Sequence, residues 1–189
     1  MCGVAKNSNS DTIVLIFSFI ELGDLHMKEK RKPVFDILEK LNIGYELDEH
    51  IAVYTIEEMD NLGMSSKGEI LKNLFLRDDK KKKFYIVVLC KEKRADLKDI
   101  KAKLDSRPLT FASEESLYAY LKLGKGEVTP FGIVNDVERK VEVVFDRDIF
   151  SFEQVGVHPN DNTATLWIRP DDLRKVAVEN GNAIREIQI

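Results

Sequence analysis

The sequence predicts a single α/β domain, in which helices surround a largely mixed sheet. Segments with the apolar spacing of amphipathic helices alternate along the chain with short Val- and Ile-rich segments typical of strands. The 189 residues are enough for one hydrophobic core, and no linker or internal repeat divides them. Hydrophobic residues make up 43% of the chain and charged residues 33%, which is the composition of a globular protein.

Helices are predicted from the spacing of apolar residues and from the residues that cap helix ends. In the segment 33–41, apolar residues recur at positions 34, 37, 38 and 41, which share one face of a helix. Thr55 and Glu58 form a capping-box pattern that opens a short helix ending near Gly63. Further helices are predicted over 96–104, 113–121 and 170–180.

Strands are predicted where apolar residues cluster between turn residues. The clearest is 84–90, an unbroken apolar run that is rich in Val and Ile and therefore typical of a buried strand. The other predicted strands are 45–47, 68–76, 131–134, 141–145 and 163–168, with an edge strand over 184–189. Residues 124–130 are predicted to form a loop.

Residues 1–26 are interpreted as an extension, and the domain is expected to span residues 27–189. The apolar run from Ile13 to Ile20 is far too short to cross a bilayer. Asp11 beside this run, and the lack of a small-residue cleavage pattern after it, argue against a signal peptide. The extension could be an added strand, a packed arm or the result of a misassigned start.

Charge and cysteine usage narrow the class of protein. The net charge of −4 argues against a sequence-independent DNA binder. The basic run Lys80–Lys83 fits a solvated turn between two strands, and the alternative is a contact to a phosphate backbone. Cys2 and Cys90 give neither a disulfide framework nor a metal-ligand spacing, which predicts a reducing compartment, the cytoplasm. The chain also lacks the motifs of a P-loop, a dinucleotide site, a serine nucleophile elbow or a zinc site.

Lys72 is the first candidate site residue. Because alternate residues of a strand share a face, Lys72 would lie beside Leu74 and Leu76, and Asn73 would lie on the opposite face. A lysine among apolar neighbours could have a lowered pKa or could serve as a fixed cation in a cleft. The alternative is an edge-strand lysine that blocks aggregation.

Two loops carry further candidates. Gly126 would let backbone amides approach a ligand and Pro130 would fix the exit of the loop, so the loop could supply an oxyanion site or be a simple turn. The segment from Gly156 to Thr165 is a polar turn suited to holding a ligand. It contains His158, for which a structural role is the alternative.

Taken together and in this order, three segments strongly resemble the YbaK/ProX family of prolyl-tRNA editing domains. They are 72–78 (KNLFLRD), 126–132 (GEVTPFG) and 155–159 (VGVHP) followed by Asn162 and Thr163. The resemblance covers residues 27 to about 181, and the first segment is closer to the alanine-specific ProX branch than to the cysteine-specific YbaK branch. It implies a mixed, mostly antiparallel and partly barrel-like sheet surrounded by helices.

The resemblance implies a trans-editing deacylase that hydrolyses the ester of mischarged Ala-tRNA(Pro). Lys72 would then hold a phosphate of the terminal nucleotide or polarise the ester, and Gly126 would offer backbone N–H groups to the oxyanion. Asn73, His158 and Pro130 would contribute to substrate binding. The substrate's own ribose hydroxyl and a bound water would share the role of general base, and neither a metal nor another cofactor is expected.

Selectivity would come from a small pocket that admits alanine and excludes proline. The candidate walls are Leu47, Val53 and Val157, for which plain core positions are the alternative. The expected partners are the 3′ end of mischarged tRNA(Pro) and prolyl-tRNA synthetase or other translation factors, without DNA or a membrane. Two alternatives stay open: another mischarged tRNA, such as Cys-tRNA(Pro) or Ser-tRNA(Ala), as the substrate, and a non-catalytic binding module of the same fold.

Overall fold

The strands form one mixed, open sheet with helices on both faces. A computed structural model describes residues 29–53, 55, 58, 61, 63 and 66–189, so the predicted extension of residues 1–26 lies outside the described residues. In chain order the elements are helix α1 (29–40), strands β1 (Glu46–Glu49), β2 (Glu69–Asp78) and β3 (Phe84–Cys90), helix α2 (Leu97–Leu104), strand β4 (Leu109–Phe111), helix α3 (Glu114–Leu121), strands β5 (Val141–Asp146), β6 (Val155–Val157) and β7 (Ala164–Ile168), helix α4 (Pro170–Asn180) and strand β8 (Ile184–Ile187). Two 3-10 helices, Pro130–Asn135 and Arg147–Ser151, lie on either side of β5.

The sheet has the strand order β1-β7-β6-β2-β3-β5-β8, and β4 pairs with β2 outside this path. The pairs β2–β6, β3–β5 and β5–β8 are parallel, and the other four are antiparallel. The prediction of a mixed and mostly antiparallel sheet is therefore confirmed. The sheet does not close into a barrel, since β1 and β8 lie at opposite ends of the strand order.

The core lies on both faces of the sheet, and β3 shows why. All seven residues of β3 are buried. Ile86 and Val88 pack into a cluster with residues of α1, α3 and α4, whereas Val87 and Leu89 pack on the other face with residues of α2. A strand covered on both faces has no need of polar residues, which explains the unbroken apolar run in the sequence.

Several predicted elements are confirmed closely. The strand 84–90 and the helix 170–180 have the predicted bounds, and the latter ends at Gly181 with a φ of +83°. The capping box also forms, because the Thr55 amide donates to Glu58 and the Glu58 amide donates to the Thr55 hydroxyl, both at 3.2 Å. The rest of that short predicted helix lies mostly outside the described residues.

One predicted strand is wrong. Residues 131–134 belong to the 3-10 helix Pro130–Asn135 instead of a strand. Pro130 has the φ angle needed to begin a helical turn, and the hydroxyl of Thr129 caps that turn by accepting a hydrogen bond from the Phe131 amide at 3.4 Å. The apolar residues of this segment therefore enter the core as part of a helical turn and not as part of the sheet. The sequence analysis also missed β4, β6 and the 3-10 helix Arg147–Ser151.

Candidate functional site

The candidate site is a gap in the sheet where β2 and β6 separate. The two strands pair in parallel only at Glu69 and Ile70 of β2, and β4 pairs with β2 only from Leu76 onward. Residues 71–75 therefore have no strand partner on this side among the described residues. A cavity of about 210 Å³ occupies the gap. Such an opening beside the ends of strands is a common place for ligand binding in α/β proteins.

The cavity brings together six of the eight residues that the sequence analysis singled out. These six are Val53, Lys72, Asn73, Gly126, Val157 and His158. The other described residues that line it are Thr55, Ile70, Leu71, Val128, Gly156 and Thr165. Segments far apart in the sequence thus meet at one place, and Lys72 is the only lysine, arginine or carboxylate residue among the twelve.

Lys72 reaches the loop that follows β3. Its Nζ donates to the carbonyl oxygen of Lys91 at 2.9 Å and also to the carbonyl oxygen of Lys93. An ammonium group has three N–H donors, so these contacts fix the position of the cation and leave one donor for a ligand. The predicted face of Lys72 is also correct, because Leu74 and Leu76 belong to the α2 side of the core, opposite Leu71.

Asn73 contributes the adjacent position of β2. Its Oδ1 is buried and has no hydrogen-bond partner among the described residues. A buried polar atom without a partner destabilises the unliganded protein. Such an atom is typical of a ligand-binding position, where the ligand supplies the missing hydrogen bond.

The loop around Gly126 is held in place by Glu127. The Glu127 carboxylate accepts a hydrogen bond from the Gly124 amide at 2.6 Å and forms an ion pair with Lys30 of α1 at 2.7 Å. Gly126 itself has a φ of +82°, a left-handed conformation that other residues adopt at a cost. Its amide has no hydrogen-bond partner in the described part of the chain.

His158 lies opposite this loop and is tied to it. The Thr129 hydroxyl donates to the His158 carbonyl oxygen at 2.6 Å. Burial, reinforced by His50, lowers the pKa of the His158 side chain from 6.5 to about 4, and the rings of the two histidines are 6.4 Å apart. His158 is therefore neutral at pH 7, with one N–H donor and one lone pair available for a ligand.

A buried ion pair anchors the polar turn that follows His158. Arg31 of α1 is only 6% exposed and binds Asp161 through Nε, with a second contact at 3.2 Å. The guanidinium group also donates to Glu49 at 2.8 Å and to Thr163 at 2.6 Å. Burial opposes the ionisation of Asp161, but the hydrogen bonds from Arg31 and Thr163 outweigh it, so the pKa of this carboxyl group is lowered.

Leu47 and Pro130 do not line the cavity. Leu47 lies in β1, which β7 and β6 separate from β2, and 38% of its surface is exposed. Pro130 is buried and begins the 3-10 helix, so its part in the site is to fix the backbone after Thr129. The structure thus places neither residue in the cavity wall, where the sequence analysis had expected them to contact the substrate.

Other residues of the site were missed by the sequence analysis. Glu127, Arg31 and Asp161 hold the two loops but do not line the cavity. Arg31 could not be found from the sequence, because it lies in a charged stretch (residues 28–32) that resembles an exposed helix end. Asp161 had a local signal: an Asx residue two positions before a threonine favours a turn, and its Oδ1 accepts the Thr163 amide at 2.8 Å.

Metal and membrane features were also searched in the described part of the chain. It contains no group of three or more His, Cys, Asp or Glu residues placed to hold a metal ion. None of its helices is long and apolar enough to cross a membrane.

The fold and the site define the class of protein. Residues 50–176 match the family model of the aminoacyl-tRNA editing domain. The chain belongs to this family, as the resemblance of the three sequence segments implied.

Particular relatives sharpen this assignment. The prolyl-tRNA editing protein ProX of Acetoanaerobium sticklandii is 45% identical over 161 residues, which are 85% of this chain and 98% of that protein. Prolyl-tRNA synthetase associated domain-containing protein 1 of Mus musculus is 36% identical over 77% of this chain and 88% of its own length. A solved structure described as a candidate trans-editing enzyme for prolyl-tRNA synthetase has a TM-score of 0.66 and 20% identity, over 85% of this chain and 97% of that one, and therefore supports the fold.

Proposed function

We propose that this protein is a trans-editing deacylase that hydrolyses the ester of mischarged tRNA(Pro), with alanine as the preferred amino acid. The observation that carries the proposal is the cavity between β2 and β6, where a fixed cation, a glycine loop and a neutral histidine meet. These are the groups that ester hydrolysis requires: electrostatic stabilisation of an oxyanion and positioning of the substrate. The relative ProX, 45% identical, is named as a prolyl-tRNA editing protein.

In the proposed reaction, a water molecule attacks the carbonyl carbon of the aminoacyl ester. The negative charge that develops on the carbonyl oxygen is stabilised by the amide of Gly126 and by the remaining N–H donor of Lys72. The bond between the carbonyl carbon and the ribose oxygen then breaks, and this oxygen takes up the proton that the water gives up. The free amino acid and an uncharged tRNA are the products.

The general base is assigned to the substrate rather than to the protein. Among the described residues that line the cavity, His158 is the only one besides Lys72 whose side chain titrates, and with a pKa of about 4 it is a weak base. The neighbouring ribose hydroxyl of the terminal adenosine and a bound water carry the proton instead. His158 and Asn73 bind and orient the substrate.

The preference for alanine is assigned to the apolar wall of the cavity. Val53 is held against the polar turn by two hydrogen bonds with Asn162, of 3.1 and 2.9 Å. Together with Ile70, which packs with it in one buried cluster, it provides a small and rigid surface, which suits a methyl group better than the ring of proline. Rigidity matters here, because a flexible wall could move aside and admit proline, the cognate amino acid.

The proposal includes the setting in which the protein acts. The domain spans residues 27–189, preceded by an extension of residues 1–26. It acts in the cytoplasm on the 3′ end of mischarged tRNA(Pro), alongside prolyl-tRNA synthetase, and uses no metal or other cofactor.

A panel of charged tRNAs tests the proposal. Purified protein is incubated with Ala-, Cys- and Pro-tRNA(Pro) and with Ser-tRNA(Ala), and release of the labelled amino acid is compared with spontaneous hydrolysis. We expect Ala-tRNA(Pro) to be hydrolysed fastest and Pro-tRNA(Pro) to stay intact. Faster hydrolysis of Cys-tRNA(Pro) would overturn the alanine preference alone. Binding of Ala-tRNA(Pro) without hydrolysis at micromolar protein would indicate a non-catalytic module.

A further inference from the structure

One wall of the cavity contains a hydroxyl group that is oriented by a residue outside the cavity. Thr165 of β7 lines the cavity and is 1% exposed. Its Oγ1 lies 2.9 Å from Nε2 of His50, a residue that does not line the cavity. The other ring nitrogen of His50, Nδ1, lies 2.8 Å from the carbonyl oxygen of Ile51.

These two contacts determine which atom donates. A carbonyl oxygen can only accept, so Nδ1 of His50 carries a proton and donates to Ile51. In the neutral imidazole, Nε2 then has only a lone pair and must accept the hydrogen of the Thr165 hydroxyl. With its hydrogen directed at His50, the Thr165 oxygen offers only lone pairs to a ligand in the cavity. The wall therefore presents a hydrogen-bond acceptor.

The backbone around the pair holds it in this arrangement. Thr165 pairs with Asp48 of β1, and the His50 amide extends the pairing by donating to the Thr163 carbonyl oxygen at 3.0 Å. On the other side, the methyl group of Thr165 lies against Gly156, where an added Cβ would come within 3.1 Å of it. The rotamer of Thr165 is thus confined by His50 and by Gly156.

We propose that the Thr165 hydroxyl, oriented by His50, accepts a hydrogen bond from the α-ammonium group of the aminoacyl ester, which makes His50 a positioning residue for substrate selection. The inference rests on the proposed function. Thr165 shares a face of β7 with Trp167, which packs with Val53 and Ile70 in one buried cluster. The wall that these residues form is assigned to the amino-acid side chain. The side chain and the ammonium group are bonded to the same carbon, so an acceptor beside the side-chain wall faces the ammonium group rather than the ribose.

The test uses an ester that lacks only this group. Nitrous acid converts the amino group of Ala-tRNA(Pro) to a hydroxyl, which gives lactyl-tRNA(Pro), an ester of almost the same size. Each enzymatic rate is divided by the spontaneous rate of the same ester, because the ammonium group also activates the ester chemically. Losing a hydrogen bond to a charged donor lowers a rate constant by about 10- to 100-fold. We therefore expect the normalised rate of the wild type to be higher for the alanyl ester by roughly this factor.

Two pairs of variants separate positioning from folding. Thr165→Val removes the acceptor and keeps the shape, whereas Thr165→Ser keeps the hydroxyl. His50→Leu cannot orient the hydroxyl, whereas His50→Gln can still accept its hydrogen through Oε1. We expect the first member of each pair to lose the alanyl preference, mainly by slower alanyl hydrolysis, and the second to retain it. Thr110→Val, at an exposed position of β4, is the matched control and should leave both rates unchanged.

The outcomes distinguish the two proposals. If the wild type hydrolyses neither ester, the proposed function fails. If it hydrolyses both equally after normalisation, the function stands and the α-ammonium contact is wrong. An equal loss of both rates in Thr165→Val or His50→Leu, in protein that unfolds at the wild-type temperature, would also overturn the contact, because it would indicate a general role in the site.

Discussion

The two ends of strand β2 differ in what their polar groups bind. Near Lys72 the strand has no partner on one side, and the site beside it opens into the cavity. Near Asp78 the strand is paired on both sides, and Asp78, only 2% exposed, accepts the Lys82 amide at 2.7 Å. Arg107 adds two hydrogen bonds to Asp79, of 2.6 and 2.9 Å. The end near Asp78, the closed end, satisfies its polar groups internally. At the end near Lys72, the open end, the buried Oδ1 of Asn73 has no hydrogen-bond partner among the described residues.

The comparison also separates two sets of lysines. The run Lys80–Lys83 lies at the closed end of β2, about 20 Å along the strand from Lys72, at roughly 3.3 Å per residue. In the sequence, these four exposed cations were the candidates for a contact to a phosphate backbone. The structure instead places Lys72, at the open end, in the lining of the cavity.

The largest expected effect comes from removing the cation of the open end. We expect Lys72→Ala to lower kcat/KM for Ala-tRNA(Pro) by about 100- to 1000-fold, the usual consequence of losing one donor to a developing oxyanion. Lys80→Ala is the matched control and should change kcat/KM less than threefold. Deacylation assays under single-turnover conditions measure both. A Lys72→Ala variant with wild-type activity would show that this cation has no part in the reaction.

The next largest effect concerns acid stability. The pKa of His158 is lowered to about 4 in the folded protein, against about 6.5 in the unfolded chain. Between these values the unfolded chain binds a proton that the folded protein does not, so the free energy of unfolding falls as the pH decreases from 6.5 to 4. The loss amounts to about 3 kcal/mol at most. Above pH 6.5 this residue contributes no pH dependence.

Urea unfolding between pH 7 and pH 4.5 measures this effect. His158→Gln has no titrating side chain and should show a flatter pH dependence than the wild type over that range. Asp79 at the closed end provides a contrast: Arg107 lowers the pKa of its carboxyl group below 3.8, so any contribution it makes is lost only in stronger acid. Equal slopes for the wild type and His158→Gln would mean that His158 titrates alike in both states.

A smaller effect is expected at the glycine loop. Gly126→Ala must place a side chain at a φ of +82°, which costs about 1–2 kcal/mol and shifts the amide assigned to the oxyanion. We therefore expect about a tenfold lower kcat/KM. Gly44→Ala is the control, because an added Cβ at Gly44 meets no atom within 4 Å. If Gly126→Ala kept full activity, the oxyanion site would have to lie elsewhere.

The open and closed ends also differ in how far the sequence predicts them. The strand β3 was predicted with its observed bounds, because a strand buried on both faces requires a continuous apolar run. The short strand β6 was missed, since three residues carry no detectable period. The gap beside β2 begins where its pairing with β6 ends. This point depends on the register between segments far apart in the sequence, which a local pattern does not reveal. The sequence analysis singled out Lys72, Gly126 and His158 through the resemblance of three segments to a known family, and the structure places all three in the lining of the cavity.

The smallest expected effect tests the closed end itself. Changing all four residues of Lys80–Lys83 to Gln removes four exposed positive charges without touching the cavity. Exposed charges are screened over about 8 Å at physiological ionic strength, so a run this far from the ester site should change kcat/KM less than threefold at 150 mM salt. The same measurement at 20 mM salt sharpens the comparison. If the variant loses much more activity at low salt than at 150 mM, the lysines contact the phosphate backbone of the tRNA while its 3′ end occupies the cavity, and the two ends of β2 then bind one ligand.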